Sequence, residues 1–83
     1  MTSSAGAADA HNQADSHKRR GNELYTAQRY EDAIREYSTA IIQNPRVIAY
    51  YTNRALCYQK LEAYAAMEQD CRRAIEIDQH SGK

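Results

Sequence analysis

The sequence has no excess of charge of either sign, no long apolar run and only two cysteines, and each shortage excludes a class of protein. Its 83 residues carry 11 basic and 11 acidic side chains, so bulk charge does not argue for a nucleic acid or a membrane surface as partner. No apolar run approaches the roughly 20 residues that span a bilayer. The first residues have neither a basic segment nor an apolar core, so we expect no signal peptide.

The cysteines and histidines offer little chemistry. Cys57 and Cys71 are well separated in the sequence and form no C-x-x-C motif, and we expect both to be reduced thiols facing the interior of an intracellular protein. A metal site would need more ligands than the three scattered histidines supply. No Ser/His/Asp set or phosphate-binding loop is recognisable. We therefore expect no metal, no cofactor and no catalytic residue.

A repeat with a period of about 34 residues organises the chain. Identical or similar residues recur at this spacing, namely Arg20 with Arg54, Gly21 with Ala55, Leu24 with Tyr58, Tyr30 with Tyr64, Tyr37 with Cys71, Ala40 with Ala74, and Ile41 with Ile75. Such a period, with small and bulky residues in fixed places, is typical of the tetratricopeptide (TPR) repeat, which has two antiparallel helices per unit. The pattern predicts an all-α TPR solenoid of two repeats plus the start of a third.

Composition and register divide the chain into a tail and a repeat domain. Residues 1–13 are mostly Ala, Ser and other small or polar residues, with no larger aliphatic residue after Met1. They offer nothing to bury and are expected to form a disordered N-terminal tail. The TPR domain is expected over residues 14–83. Its first repeat would cover about 14–47, its second about 48–81, and residues 82–83 would start a third unit.

The same register predicts four helices, at about 14–27, 30–43, 46–61 and 64–78. The first would begin at Asp15 or Ser16 unless the upstream alanines extend it. Gly21 would let the two helices of its unit touch, which offsets its helix cost of ~1 kcal/mol. The buried stripe of the second helix is expected to consist of Ala33, Tyr37, Ala40 and Ile41.

Polar residues recur on the first helix of each unit. Lys18 and Asn22 are four residues apart and therefore share a helix face. Asn53 lies three places before the register position of Asn22, and Lys83 lies another three or four places earlier in the next unit. Stacked helices would present all four toward one concave surface, where their donors would suit a carboxylate. Each residue taken singly favours a solvated surface position, whereas the four together on one stripe favour a binding surface.

Arg20 and Arg54 occupy a position that is usually aliphatic in TPR repeats, and two interpretations stay open. Their methylene stems would pack while their charged heads reach water. Alternatively, their guanidinium groups would shape a ligand groove.

The end of the second repeat is expected to be uncovered. Ile75, Cys71 and Ile77 would face that side of the fourth helix, and an exposed apolar end is a docking surface. We therefore expect self-association through this C-terminal end, or marginal stability as a monomer.

The chain resembles the carboxylate-clamp TPR domains of co-chaperones, most of all those of the chaperone-interacting U-box ubiquitin ligases. The resemblance runs from about His17 to Lys83 and rests on KRRGN at residues 18–22, on NPRVIAYYTNRALCYQKL at 44–61 and on DCRRAIEID at 70–78. It implies a peptide-binding module for the acidic C-terminal tail, ending EEVD, of the seventy- and ninety-kilodalton heat-shock chaperones. Lys18, Asn22, Asn53 and Lys83 would grip the tail's carboxylates, and Tyr25 and Leu56 would contact its aliphatic side chain.

The resemblance also implies a biological setting. The module would recruit chaperones to a ubiquitin ligase whose catalytic U-box is absent from these residues, so the residues themselves would not form an enzyme. The expected compartment is the cytoplasm, and also the nucleus. The alternatives are a TPR module of another co-chaperone, such as an adaptor, an immunophilin or a phosphatase, and a structural scaffold for protein–protein interaction.

Overall fold

Four α-helices make up the computed structural model, which describes the backbone of residues 3–81 and the side chains of residues 12–79. They are α1 Ser3–Thr26, α2 Tyr30–Gln43, α3 Ile48–Lys60 and α4 Tyr64–Ser81, with no strand in that range. α1 packs on α2 and α3 packs on α4, while α2 and α3 join the two pairs. The prediction of an all-α fold built from helix pairs is confirmed. Gly82 and Lys83, predicted to start a third unit, lie outside the described residues.

Helix α1 begins at Ser3 rather than at the predicted start near Asp15. Its first two turns contain three alanines, and alanine has the highest helix propensity of any residue. The predicted start near Asp15 was therefore too late. The upstream alanines extend the helix, which was the stated exception to that prediction. The assignment of residues 1–13 to a disordered tail stays a prediction, and Met1 and Thr2 lie outside the described residues.

Both helix pairs turn on the same backbone device. Gln28 and Glu62 have left-handed φ angles of 64° and 60° and occupy the same place in the two repeats. Around Gln28, the Arg29 N–H donates to the Leu24 carbonyl at 2.8 Å and the Gln28 N–H donates to the Tyr25 carbonyl at 2.9 Å. This is the Schellman pattern of a helix C-terminus. It repeats at Glu62, so the repeat extends from the residue pattern to the hydrogen bonds.

The core consists of three clusters of buried residues between the helices. They are Ala14, Ala40 and Tyr50; Ala33, Tyr37 and Cys57; and Tyr51, Ala74 and Ile77. The predicted burial of Ala33, Tyr37 and Ala40 on α2 is confirmed, while Ile41 is half-buried. Gly21 is at the predicted close approach, because a Cβ atom there would lie 2.6 Å from the Tyr37 ring.

Two predictions about α4 are wrong. Ile77 is not on an uncovered end: it is 3% exposed and packs with Tyr51 and Ala74. Cys71 is exposed rather than interior, unlike buried Cys57. The separate expectation that Cys71 and Ile75 are uncovered is confirmed, since Ile75 is 56% exposed. Helix α3 covers the first pair beside Tyr37, the register partner of Cys71, whereas no described helix covers the matching side of the second pair. The buried stripe of α4 runs instead through Asp70, Ala74 and Ile77.

Candidate functional site

The neighbouring first helices of the two pairs bring two of the predicted binding residues into contact. Asn22 lies on α1 and Asn53 on α3, and the Asn53 Nδ2 donates to the Asn22 Oδ1 at 3.4 Å. Lys18 is one turn before Asn22 on the same α1 face. Three of the four predicted carboxylate-gripping residues thus lie on the adjoining faces of α1 and α3. Their role in binding stays a prediction.

Asn22 is held by a second bond that comes from the core. The Tyr37 hydroxyl donates to the same Asn22 Oδ1 at 2.5 Å. Burial, helped by Cys57 and Tyr25, raises the pKa of Tyr37 to about 12, so the phenol keeps its proton at neutral pH and acts as a donor. Both bonds use the carbonyl oxygen of Asn22, which leaves the amide nitrogen of that side chain directed away from them. Sequence reasoning named Asn22 but missed this partner.

Lys18 carries an acidic neighbour of its own. Its ammonium lies 3.4 Å from the Asp15 carboxylate, with 28% of the Lys18 side chain exposed. Asp15 also pairs with Arg19 at 3.4 Å and accepts a hydrogen bond from the Tyr50 hydroxyl at 3.4 Å. Burial first, and Asp15 second, raise the pKa of Tyr50. A ligand carboxylate approaching Lys18 would therefore meet a carboxylate already beside it.

The two predicted apolar contacts have different surroundings. Tyr25 is half-buried, packs on the cluster of Ala33, Tyr37 and Cys57, and meets the Tyr30 ring edge-on at a centroid distance of 5.4 Å. Leu56 is 46% exposed. We call the opening that it lines the α3–α4 groove; it has a volume of about 340 Å³ and is formed by Thr52, Ala55, Leu56, Gln59, Met67 and Cys71. Tyr25 is thus partly committed to the core, whereas Leu56 is available. Lys83, the remaining predicted residue, lies outside the described residues.

Neither interpretation of Arg54 is correct, because its guanidinium head is neither in water nor in a groove. Nε and Nη2 of Arg54 donate to the two carboxylate oxygens of Asp70 at 2.8 and 2.7 Å, and Nη1 donates to the Ser38 hydroxyl at 2.9 Å. Asp70 is only 4% exposed. The hydrogen bonds to Asp70 outweigh desolvation and raise the pKa of Arg54. Arg54 is therefore an internal brace between the helices.

The first repeat holds a looser version of the same pair. Arg20 lies 3.9 Å from Glu36, with 69% of its side chain exposed, and Glu36 also contacts the His17 Nδ1 at 2.7 Å. Glu36 and Asp70 occupy the same place in the two repeats. An acidic residue recurs 34 residues apart, at Glu36 and Asp70, just as an arginine recurs at Arg20 and Arg54. This double recurrence was the sequence signal that could have predicted both ion pairs.

The described residues contain neither a metal site nor a membrane-spanning helix, and the buried Cys57 thiol is not a reactive one. Residues 12–79 contain no group of three or more His, Cys, Asp or Glu side chains placed to hold a metal ion. None of the helices in the described part of the chain is long and apolar enough to cross a membrane. Burial raises the pKa of the Cys57 thiol to about 11, so this thiol stays protonated and unreactive near neutral pH.

Comparison with known proteins places this geometry in a family. No protein-family model matches the chain. It is 42% identical to the E3 ubiquitin-protein ligase CHIP of Arabidopsis thaliana over 66 residues, 80% of this chain and 24% of that ligase. It is also 42% identical to the Hsp70-Hsp90 organizing protein of Triticum aestivum over 65 residues, 78% of this chain and 11% of that protein. The chain therefore spans a quarter or less of the length of these curated relatives.

A solved structure extends the likeness from sequence to fold. The second TPR of Spaghetti (RPAP3), bound to the HSP90 peptide SRMEEVD, superposes with a TM-score of 0.84 at 34% identity, over 88% of this chain and 67% of that one. The chain belongs to the tetratricopeptide repeat family, as a homologue of the TPR domains of CHIP and the Hsp70-Hsp90 organizing proteins.

Proposed function

We propose that this chain binds the acidic C-terminal tail, ending EEVD, of heat-shock chaperones of the seventy- and ninety-kilodalton classes. The observation that carries the proposal is the contact of Asn22 with Asn53, one turn from Lys18, on the adjoining faces of α1 and α3. A lysine ammonium and directed amide donors form charge-assisted bonds to carboxylates. The structural neighbour with the bound SRMEEVD peptide supports the choice of ligand.

Each predicted residue has a stated part in this binding. Lys18, Asn22 and Asn53 donate to carboxylates of the tail, and Lys83 adds a second cation. Leu56 and Tyr25 contact an aliphatic side chain of the tail, with Leu56 offering the larger exposed surface. The function is recognition rather than catalysis, and it requires no cofactor.

The effector that such a module serves would depend on the protein that contains it. A module of this kind in a ubiquitin ligase would bring a chaperone and its client to the U-box, in the cytoplasm and the nucleus. The same module in an adaptor, an immunophilin or a phosphatase would bring the chaperone to a different effector. CHIP and an organizing protein match the chain at the same identity, and a U-box in the same polypeptide would favour the ligase role.

Calorimetric titration with the SRMEEVD peptide tests the binding. We expect the free-acid peptide to bind, and the same peptide with an amidated C-terminus to bind much more weakly, because amidation removes a carboxylate. Asn53→Ala should weaken binding by ~1.5–3 kcal/mol, the value of a hydrogen bond to a charged group. Asn12→Ala is the matched control, since Asn12 is an exposed asparagine near the middle of α1, ten residues before Asn22.

The salt dependence of the same titration gives an independent test. Lys18→Ala should weaken binding and flatten its dependence on salt concentration, because added ions screen an exposed cation. Equal affinity for the free and amidated peptides would instead favour a structural scaffold that binds its partner elsewhere on the solenoid.

A further inference from the structure

The Tyr37 side chain reaches from the core to the proposed binding surface. Its ring is 1% exposed and packs with Ala33 and Cys57. Gly21 admits the ring, since any Cβ atom at that position would lie within 2.6–2.9 Å of three ring atoms. The ring is therefore fixed on all sides, and the hydroxyl at its tip is held at the oxygen of Asn22.

An asparagine amide is nearly symmetrical in shape, so its orientation has to be set by its neighbours. For Asn22, two donors converge on one end of the amide: the Tyr37 hydroxyl and the Asn53 Nδ2. Rotating the amide by half a turn would place the Asn22 Nδ2 against the Asn53 Nδ2, two donors facing each other. With the Asn53 Nδ2 pointing at Asn22, this orientation lets both neighbours donate to the Asn22 oxygen, and it directs the Asn22 N–H groups away from the core.

We propose that Tyr37 is a positioning residue that orients the Asn22 amide so that its N–H groups, rather than its carbonyl oxygen, face the ligand carboxylate. The inference rests on the proposed function. A carboxylate accepts hydrogen bonds and cannot donate one, so a rotated Asn22 would present an oxygen to it and repel it. Tyr37 thus acts through Asn22 and does not itself touch the ligand.

The repeat register separates this role from ordinary packing. The position of Tyr37 in the second repeat holds Cys71, and the position of Asn22 holds Leu56. If the tyrosine hydroxyl only stabilised the packing of a helix pair, the same hydroxyl and amide would be expected in both repeats. Instead, the hydroxyl and the amide occur together in the first repeat, where the proposed carboxylate site lies, and both are missing from the second.

Tyr37→Phe tests the proposal, because it removes the hydroxyl and keeps the ring. We expect the affinity for free-acid SRMEEVD to fall about five- to tenfold, the value of one hydrogen bond. Tyr51→Phe is the matched control: Tyr51 is 5% exposed, and its hydroxyl donates to the Pro45 carbonyl at 2.9 Å, away from Asn22. Its affinity should change less than about twofold.

A double variant separates positioning from a general loosening of the fold. In an Asn22→Ala background, Tyr37→Phe should cause no further loss of affinity, because there is no amide left to orient. An equal loss with and without Asn22, or an unchanged affinity in Tyr37→Phe, would overturn the inference.

The wild-type protein supplies a readout that does not depend on any variant folding. The side-chain amide NMR signals of Asn22 should shift on titration with SRMEEVD, and unmoved signals would show that these N–H groups do not meet the ligand. Failure of the wild type to bind the peptide would instead overturn the proposed function and this inference with it.

Discussion

The Arg54–Asp70 pair gives the sharpest stability prediction. Asp70→Asn removes one charge while keeping the shape of the side chain, and leaves the Arg54 guanidinium with the Ser38 hydroxyl and a single amide oxygen. Removing one partner of a buried ion pair costs ~3–5 kcal/mol. The Arg54 side chain is 20% exposed and the Asp70 side chain 6%, so water relieves part of the penalty, and we expect a loss of ~2–3 kcal/mol.

This loss is large for a protein of this size. An 83-residue chain has a total stability of ~4–12 kcal/mol at typical values per residue. For a domain of this length, 1 kcal/mol moves the melting temperature by ~4–8 °C. Asp70→Asn should therefore lower the melting temperature by ~10–20 °C, measured by the helix signal in circular dichroism.

A control on the same helix isolates the effect of burial. Glu68 pairs with Arg72 at 3.4 Å, but the side chains are 65% and 72% exposed, so Glu68→Gln should shift the melting temperature by less than about 3 °C. Replacing both Arg54 and Asp70 by leucine should cost less than Asp70→Asn alone, because neither charge is left unpaired. A melting temperature for Asp70→Asn within about 3 °C of the wild type would refute the reasoning.

Three further predictions concern the α1 surface, a turn and the α3–α4 groove. Asp15→Asn should tighten SRMEEVD binding, because the Asp15 carboxylate lies 3.4 Å from the Lys18 ammonium and repels an incoming carboxylate; weaker binding in calorimetry would show that Asp15 instead holds Lys18 in place. Glu62→Gly should raise the melting temperature by a few degrees, because glycine adopts the φ of 60° without steric cost; an unchanged value would mean that the chain entropy of glycine cancels the gain. Self-association through the C-terminal end stays a prediction, and Leu56→Lys in the α3–α4 groove should reduce it in sedimentation over a concentration series. A wild type that sediments as a monomer at every concentration would rule it out.

The repeat register predicted the helices and the core better than it predicted side-chain partners. It placed α2 at its observed bounds and Gly21 at the contact between α1 and α2, because a fixed repeat period determines which positions face inward. It also brought Asn22 and Asn53 to neighbouring helices. These predictions needed only the spacing of residues along the chain and the repeat of the helix pair.

The misses come from interactions that spacing does not specify. Pairing of Arg54 with Asp70 depends on two helices meeting at a particular rotation, 16 residues apart in sequence. The burial of Ile77 and the exposure of Cys71 depend on which side of α4 has a covering helix, and residues six places apart on one helix give no sign of this. The start of α1 was predicted too late because residues 1–13 have no larger aliphatic side chain after Met1 to bury. The helix propensity of their alanines, which extends α1, was given too little weight.

The two repeats have the same backbone arrangement but differ in a few residues at matching positions, and these residues give the two repeats different roles. Where the second repeat has the buried Asp70 that locks Arg54, the first has Glu36, 25% exposed and shared between Arg20 and His17. The tight Arg54–Asp70 pair braces the second unit, and the α3–α4 groove of that unit carries Leu56 and Met67. In the first unit the polar interactions move to the surface between α1 and α3, where the core hydroxyl of Tyr37 orients a donor outward. Under the proposed function, recognition of a carboxylate would depend on a residue that is itself buried, because the enclosed Tyr37 ring holds its hydroxyl at the Asn22 oxygen.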